Sequence, residues 1–356
     1  MKYPNIFFYA NSKLAQDAFI CYLLEWSDPK YQATGDEFLH KTAQKFVKSL
    51  FAKHDVELSK INSVEVLKQD NHIDIGAIID CDSGQKCYLL IEDKTNTKNH
   101  SHQLWRYYND VLKRSKTLDV VDIIPIYLKT HDQSKFDLDI FRPKHEEEKY
   151  HPPEVSHSTL RHQFKAFMRD DFLSVLESYQ GQNELIIQFR ENLTEIENAV
   201  NSFSQRKIED WKRLQFIGFY KKLQKELNIG YWKDVNNKAG GFCAYIFPKM
   251  EHGVYTQLEG KNGELSFCFK IHEPDTTRQK KVRNEWSLRL INHFKLEAGI
   301  EVTKPKSFGK GKFMTVAVVA SQFPLKTSTG CIDIEQTLLL IQTINKILKG
   351  CPAIEI

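Results

Sequence analysis

Asp74, Glu92 and Lys94 put two carboxylates and an ammonium on two short apolar segments close together in the chain. The segments HIDIGAIID (72–80) and KCYLLIEDK (86–94) are rich in Ile and Leu and read as strands, and CDSGQ (81–85) between them carries turn residues. A turn there fixes the register: Asp80 faces Lys86, Ala77 faces Leu89 and Asp74 faces Glu92. Directly opposed side chains have Cβ atoms about 4.5–5.5 Å apart, and like charges so placed are destabilising. Two carboxylates facing each other on apolar strands therefore call for a cation. A divalent ion such as Mg2+ meets that need, because it takes oxygen ligands, commonly one or two carboxylates completed by water and phosphate oxygens. Such an ion polarises a phosphoryl group and activates a water. Glu92 and Lys94 are two apart and share a strand face. The ammonium offsets the carboxylate repulsion and is placed to orient a water or to stabilise developing charge. Asp93 points to the other side, which leaves its backbone carbonyl as a further metal ligand.

A helix must follow this strand closely. Residues 99–116 have helical character, and the link at 95–98 is short, so the helix N-terminus lies near Lys94 and favours anions. Gln103 and Tyr107 stand four apart and share a face. Lys98 and Arg106 are available for phosphate contact. His100 and His102 are two apart on a helix, do not face the same way, and are not read as metal ligands. Trp105 is read as core rather than as a stacking platform.

Asp74, then Glu92-Asp93-Lys94, then Gln103-Leu-Trp-Arg-Tyr107 resembles the PD-(D/E)XK nuclease superfamily. The Gln-x-x-x-Tyr element is similar to the extra motif of its RecB-like exonuclease branch. EDKTNTKNHSHQLWRYYN, together with the early helix KLAQDAFICYLLEW, resembles a bacterial family of PD-(D/E)XK nucleases. The resemblance covers residues 10–130 and extends towards 180. It implies an α/β, restriction-endonuclease-like core, a four-stranded mixed sheet flanked by helices. It implies metal-dependent hydrolysis of DNA phosphodiester bonds, with Mg2+ as cofactor, Mn2+ as a substitute and RNA left open as substrate. By carry-over, Asp74 and Glu92 are metal ligands, Lys94 orients water or stabilises charge, and Gln103 and Tyr107 support the site. Two positions depart from the pattern. Ile73 stands where the superfamily name has Pro, and Asp17 is the nearest acid to the place where relatives carry one on the first helix. Phage or mobile-element defence is a setting offered by family analogy alone. The rival reading is a non-cleaving or ligand-regulated nucleic-acid-binding protein that keeps the fold.

The rest of the chain supplies the scaffold. Its 356 residues suggest about two domains. Residues 13–26 and 36–54 read as helices, 63–69 as a strand, and 119–129 as a strand buried on both faces. Residues 130–160 are loop-like. Helical patterns near 161–178, 183–203 and 206–227 end at a Gly-containing break at 229–241, after which the composition turns β-rich. A helix at 279–297, a strand at 312–320 and a helix at 334–348 complete the chain. The resulting division is a nuclease domain at 1–180, a helical connector at 181–228, and a C-terminal α+β domain at 229–356 that binds DNA or regulates.

Composition sets outer bounds. No stretch approaches about 18 consecutive apolar residues, so no membrane span is expected, and the N-terminus lacks a signal-peptide core. A cytoplasmic protein is the expectation. The seven cysteines show no C-x-x-C spacing, and Cys81 and Cys87, flanking the turn, are read as reduced thiols. A net charge of +4 permits a polyanionic partner without demanding one. Basic clusters at Lys280-Lys281 with Arg283, and at Lys304, Lys306, Lys310 and Lys312, are read as solvated faces able to track phosphate.

Overall fold

The computed structural model describes residues 12–33, 36–68, 70–81, 84–95, 103–134, 163–236, 240–308, 311–320 and 323–354. The chain divides into two compact units, one of residues 1–133 and 137–196, the other of 134–136 and 197–356.

The first unit is built on a five-stranded mixed sheet in the order β1-β2-β3-β4-β5, with β1 at Ile61–Lys68, β2 at Ile75–Cys81, β3 at Lys86–Lys94, β4 at Asp122–Lys129 and β5 at Lys165–Met168. β1, β2 and β3 run antiparallel, while β3, β4 and β5 are parallel neighbours. The expected register holds: Asp80 pairs with Lys86 and Ala77 with Leu89, down to Ile75 and Ile91. Expectation and structure differ in strand number, five against four. β5 and the helix Arg169–Leu176 occupy the stretch read as one helix from 161. A four-residue parallel strand is too short to show a period of two, so the adjoining helical pattern swallows it.

Both faces of the sheet are covered, which is why β4 is buried from Ile123 onward. On one face, α1 (Ser12–Trp26), α2 (Glu37–Ala52), α4 (Arg169–Leu176) and α5 (Glu184–Asn201) pack on Ala77, Leu89, Ile91, Ile124, Ile126 and Leu128. α2 starts at Asp36, whose carboxylate accepts the Leu39 amide at 2.9 Å. On the other face, α3 (Gln103–Arg114) sets Leu104, Tyr108 and Val111 against Tyr88, Leu90 and Tyr127.

The second unit carries a separate six-stranded antiparallel sheet in the order β10-β11-β9-β8-β7-β6. Its strands are β6 (Tyr231–Val235), β7 (Phe242–Ile246), β8 (Tyr255–Lys261), β9 (Glu264–His272), β10 (Val302–Thr303) and β11 (Phe313–Val319). β6 falls inside the stretch read as a break, because YWKDV is a half-buried edge strand with no clean alternation. The helices α6 (Arg213–Leu227), α7 (Gln279–Ala298) and α8 (Ile334–Lys349) share one core with this sheet, through Phe216, Phe219, Trp286, Phe294, Ile341 and Ile344. All seven cysteines are free thiols. Among the described residues, no helix is long and apolar enough to cross a membrane.

Candidate active site

Strand alternation decides which side chains meet at the end of β3. Leu89 and Ile91 face α1 and α2, so Asp93 faces them too. Tyr88 and Leu90 face α3, and Glu92 and Lys94 follow on that face. Asp74 lies one residue before β2, beyond the last strand pair, Ile75 with Ile91.

On the α3 face, the Lys94 ammonium sits between two carboxylates. Its Nζ is hydrogen-bonded to Glu92 Oε1 and lies 3.9 Å from Asp74 Oδ2. Glu92 is fully buried, while the Asp74 side chain keeps 13% of its surface open. Asp74 Oδ2 also accepts the Asp93 amide at 3.2 Å. In an extended strand a residue's N–H and C=O project to the same edge, so the Asp93 carbonyl belongs to the edge where Asp74 stands. Charge burial of this kind is tolerated only when each ion is partnered. Lys129, the parallel register partner of Lys94, brings a second buried ammonium, whose Nζ donates to Thr95 O at 2.9 Å.

The opposite face holds a second polar group. Gln16 of α1 donates from Nε2 to Asp93 Oδ1 and accepts from Thr130 Oγ1 at 2.7 Å. Burial lifts the Asp93 carboxyl well above the ordinary carboxylate range, and hydrogen-bonded Asp17 pushes it the same way. The Gln16 hydrogen bond opposes that rise. Two carboxyls so close hold a shared proton more readily than two negative charges.

The structure thus brings together Asp74, Glu92, Lys94 and the Asp93 backbone. Asp17, the nearest acid to the place where relatives carry one on the first helix, is set against the Asp93 side chain, because residue 17 projects from the helix that packs on the odd-numbered positions of β3. Tyr107 is half-buried against the α3-side cluster, and Arg106 is exposed. Gln103 begins α3, but its side chain, like Lys98, His100 and His102, lies outside the described residues. Trp105 is core, edge-on to Phe164 at 6.2 Å. Sequence reasoning missed Gln16, Thr130 and Lys129. The only available signal was a polar residue inside an otherwise apolar element, which does not say what it meets.

The donor set fits a hard divalent ion. Asp74, Glu92 and the Asp93 carbonyl are all oxygen donors, the type Mg2+ takes. Among the described residues no group of three His, Cys, Asp or Glu side chains stands ready to enclose a metal. Water and substrate oxygens would complete the shell, as is usual for Mg2+. A family model for the PD-(D/E)XK nuclease superfamily matches residues 4–191. Comparison with curated proteins and with solved structures gives no match.

Proposed function

Because the chain belongs to the PD-(D/E)XK nuclease superfamily, we propose that it hydrolyses phosphodiester bonds of DNA at the Asp74, Glu92 and Lys94 cluster, with Mg2+ as cofactor and Mn2+ as a substitute. The observation that carries this reading is the Lys94 ammonium lodged between the Glu92 and Asp74 carboxylates at the buried end of β3. Asp74, Glu92 and the Asp93 carbonyl would hold the ion. When bound, it would supply Lewis acidity at the scissile phosphoryl group and lower the pKa of a water.

The chain's own groups do the rest. Lys94 is a three-proton donor held by one hydrogen bond, to Glu92, with the Asp74 carboxylate 3.9 Å away, so it has protons left to orient a water or meet developing negative charge. Glu92 fixes that ammonium while remaining out of solvent. Tyr107 and Gln103 support the cluster from α3, and Arg106 and Lys98 offer cationic contacts to the phosphate backbone. Defence against phage or mobile elements is proposed on family analogy alone.

The test is cleavage of circular and linear DNA, single- and double-stranded, with Mg2+, Mn2+ or EDTA. Wild type and Lys94→Ala run side by side. Metal-dependent cutting by wild type, reduced by about 100-fold or more in the variant, is expected of an acid–base or charge-stabilising group. No cutting under any condition, with DNA binding retained, would move the protein to the non-cleaving or ligand-regulated reading.

A further inference from the structure

The second unit brings together basic and aromatic residues that are well separated in sequence. β9 ends at His272 and β11 begins at Phe313, and the two are register partners with ring centroids 4.5 Å apart. Lys312 stands next to them, its Nζ 5.6 Å from the Phe313 ring centroid. The Glu273 amide donates to Lys312 O at 2.8 Å, and Gln279 Nε2 donates to Glu273 O at 3.0 Å, which ties the start of α7 to the same end of the sheet. One turn into α7, the Arg283 guanidinium lies 4.3 Å from the centre of the Phe308 ring. Arg278, Lys280 and Lys281, at the start of the same helix, are exposed.

Phe313 is 59% exposed. Water on a phenylalanine is unfavourable, and the groups shown beside this ring are the Lys312 ammonium and the His272 imidazole. Residues 273–285 together with Lys312 carry the acids Glu273, Asp275 and Glu285 against Arg278, Lys280, Lys281, Arg283 and Lys312, with Glu273 Oε2 3.9 Å from Arg278 Nε. Two of those acids are engaged locally: Glu273 accepts the Asp275 amide at 3.0 Å, and Asp275 accepts the Thr277 amide at 2.9 Å. Both carboxylates keep their charge, so the stretch is positive only by five cations against three acids, and Phe313 is exposed beside Lys312. Proteins that bind single strands combine these two elements, cations tracking phosphates and rings on which bases stack. A duplex hides its base faces and could use only the cations.

We infer that this end of the second unit binds single-stranded nucleic acid, with a base stacked on Phe313 and phosphates at Lys312, Lys280 and Lys281. The inference goes beyond the nuclease reading, since it concerns binding on a different unit and holds with or without cleavage.

Fluorescence anisotropy tests it, using the full chain in EDTA and a labelled single-stranded oligothymidylate, so that cutting cannot interfere. Phe313→Ala should weaken binding about fivefold or more, the effect of losing one stacked base. Phe313→Tyr, which keeps the ring, should restore it. The triple variant Lys280→Ala, Lys281→Ala, Lys312→Ala should weaken binding and flatten its salt dependence. The matching duplex should be bound less tightly and should not respond to Phe313→Ala. Phe313 is exposed, so the variant should fold; circular dichroism confirms it. Unchanged binding by Phe313→Ala would overturn the inference, as would wild-type binding to phosphatidylserine vesicles but not to the oligonucleotide. Cleavage by wild type with metal, read separately, reports only on the Asp74, Glu92 and Lys94 cluster.

Discussion

Lys94 and Asp93 are neighbours whose side chains meet different partners on opposite faces of one strand. Lys94 neutralises a fully buried glutamate, so removing the ammonium strands that charge. Losing one partner of a buried ion pair costs about 3–5 kcal/mol. Lys94→Met is therefore expected to lose about that much in urea unfolding of the metal-free protein. Pairing it with Glu92→Gln should recover most of the loss, because neither position of the broken pair then carries a charge. Added Mg2+ should stabilise Lys94→Met more than wild type, since a cation then replaces the missing ammonium. Equal stabilisation of both proteins would count against Asp74 and Glu92 as a cation site. Asp93 gives a pH signature of its own. Its folded pKa is raised by burial and by Asp17, so between the unfolded and folded values the native state holds the extra proton. Stability from this group is full below the unfolded carboxylate value and declines as pH rises through the raised folded value. Asp93→Asn cannot ionise, and its amide can still accept from Gln16 and can donate to Asp17. The variant should be more stable than wild type at neutral pH, with the difference shrinking on acidification. Urea midpoints across that range in EDTA measure it, and a difference that grew towards acid would refute the assignment.

At the scale of elements, the site depends on how the chain enters β2. Asp70, in the turn ahead of Asp74, accepts from Tyr88 Oη at 2.8 Å and from both terminal nitrogens of Arg114, at 3.1 and 2.9 Å. The turn is thus fastened to β3 and to α3 at once. The Tyr88 ring lies across Gly76, where an added Cβ would collide with the phenol oxygen. Gly76→Ala should displace Tyr88, loosen Asp70 and shift Asp74, at about 1–3 kcal/mol of stability. Calorimetric titration with Mn2+ should show weakened affinity, and unchanged affinity would mean that Asp74 is held by other contacts. Much of this arrangement was legible in the chain. Turn residues at 81–85 fixed a hairpin register, and that register plus the period of two placed Glu92 and Lys94 on one face and Asp93 on the other. β5 and β6 were not legible, since four- and five-residue strands with mixed burial leave no period. Nor were Gln16 and Thr130, whose contacts span 77 and 114 residues of sequence and follow only from how α1 packs.

At the scale of the whole molecule, the question is where the first unit ends. The polar stretch at 181–183 suggests a boundary near 180, but sequence does not say which core the next helix joins. α5 gives Ile186, Phe189 and Leu193 to the first core, with Phe189 and Phe19 ring centroids 4.1 Å apart. Asn183 Nδ2 also donates to Tyr22 Oη at 2.9 Å, fixing the start of α5 to α1. Burying an Ile, Phe or Leu side chain is worth about 1.5–3 kcal/mol, so these three contribute about 5–9 kcal/mol. That is comparable to the whole stability of a typical domain, about 5–15 kcal/mol. A fragment of residues 1–180 should therefore fail to fold, showing no cooperative urea transition and strong binding of a hydrophobic dye. A fragment of residues 1–201 keeps α5 and should unfold in one cooperative step. It should also retain metal-dependent cleavage, because Asp74, Glu92, Lys94 and α3 all lie within it. It lacks Phe313 and the basic residues around it, so its affinity for single strands in EDTA should fall to that of the first unit alone. A 1–201 fragment that does not fold would show that the first core draws stability from the second, and the two units would then count as one cooperative structure.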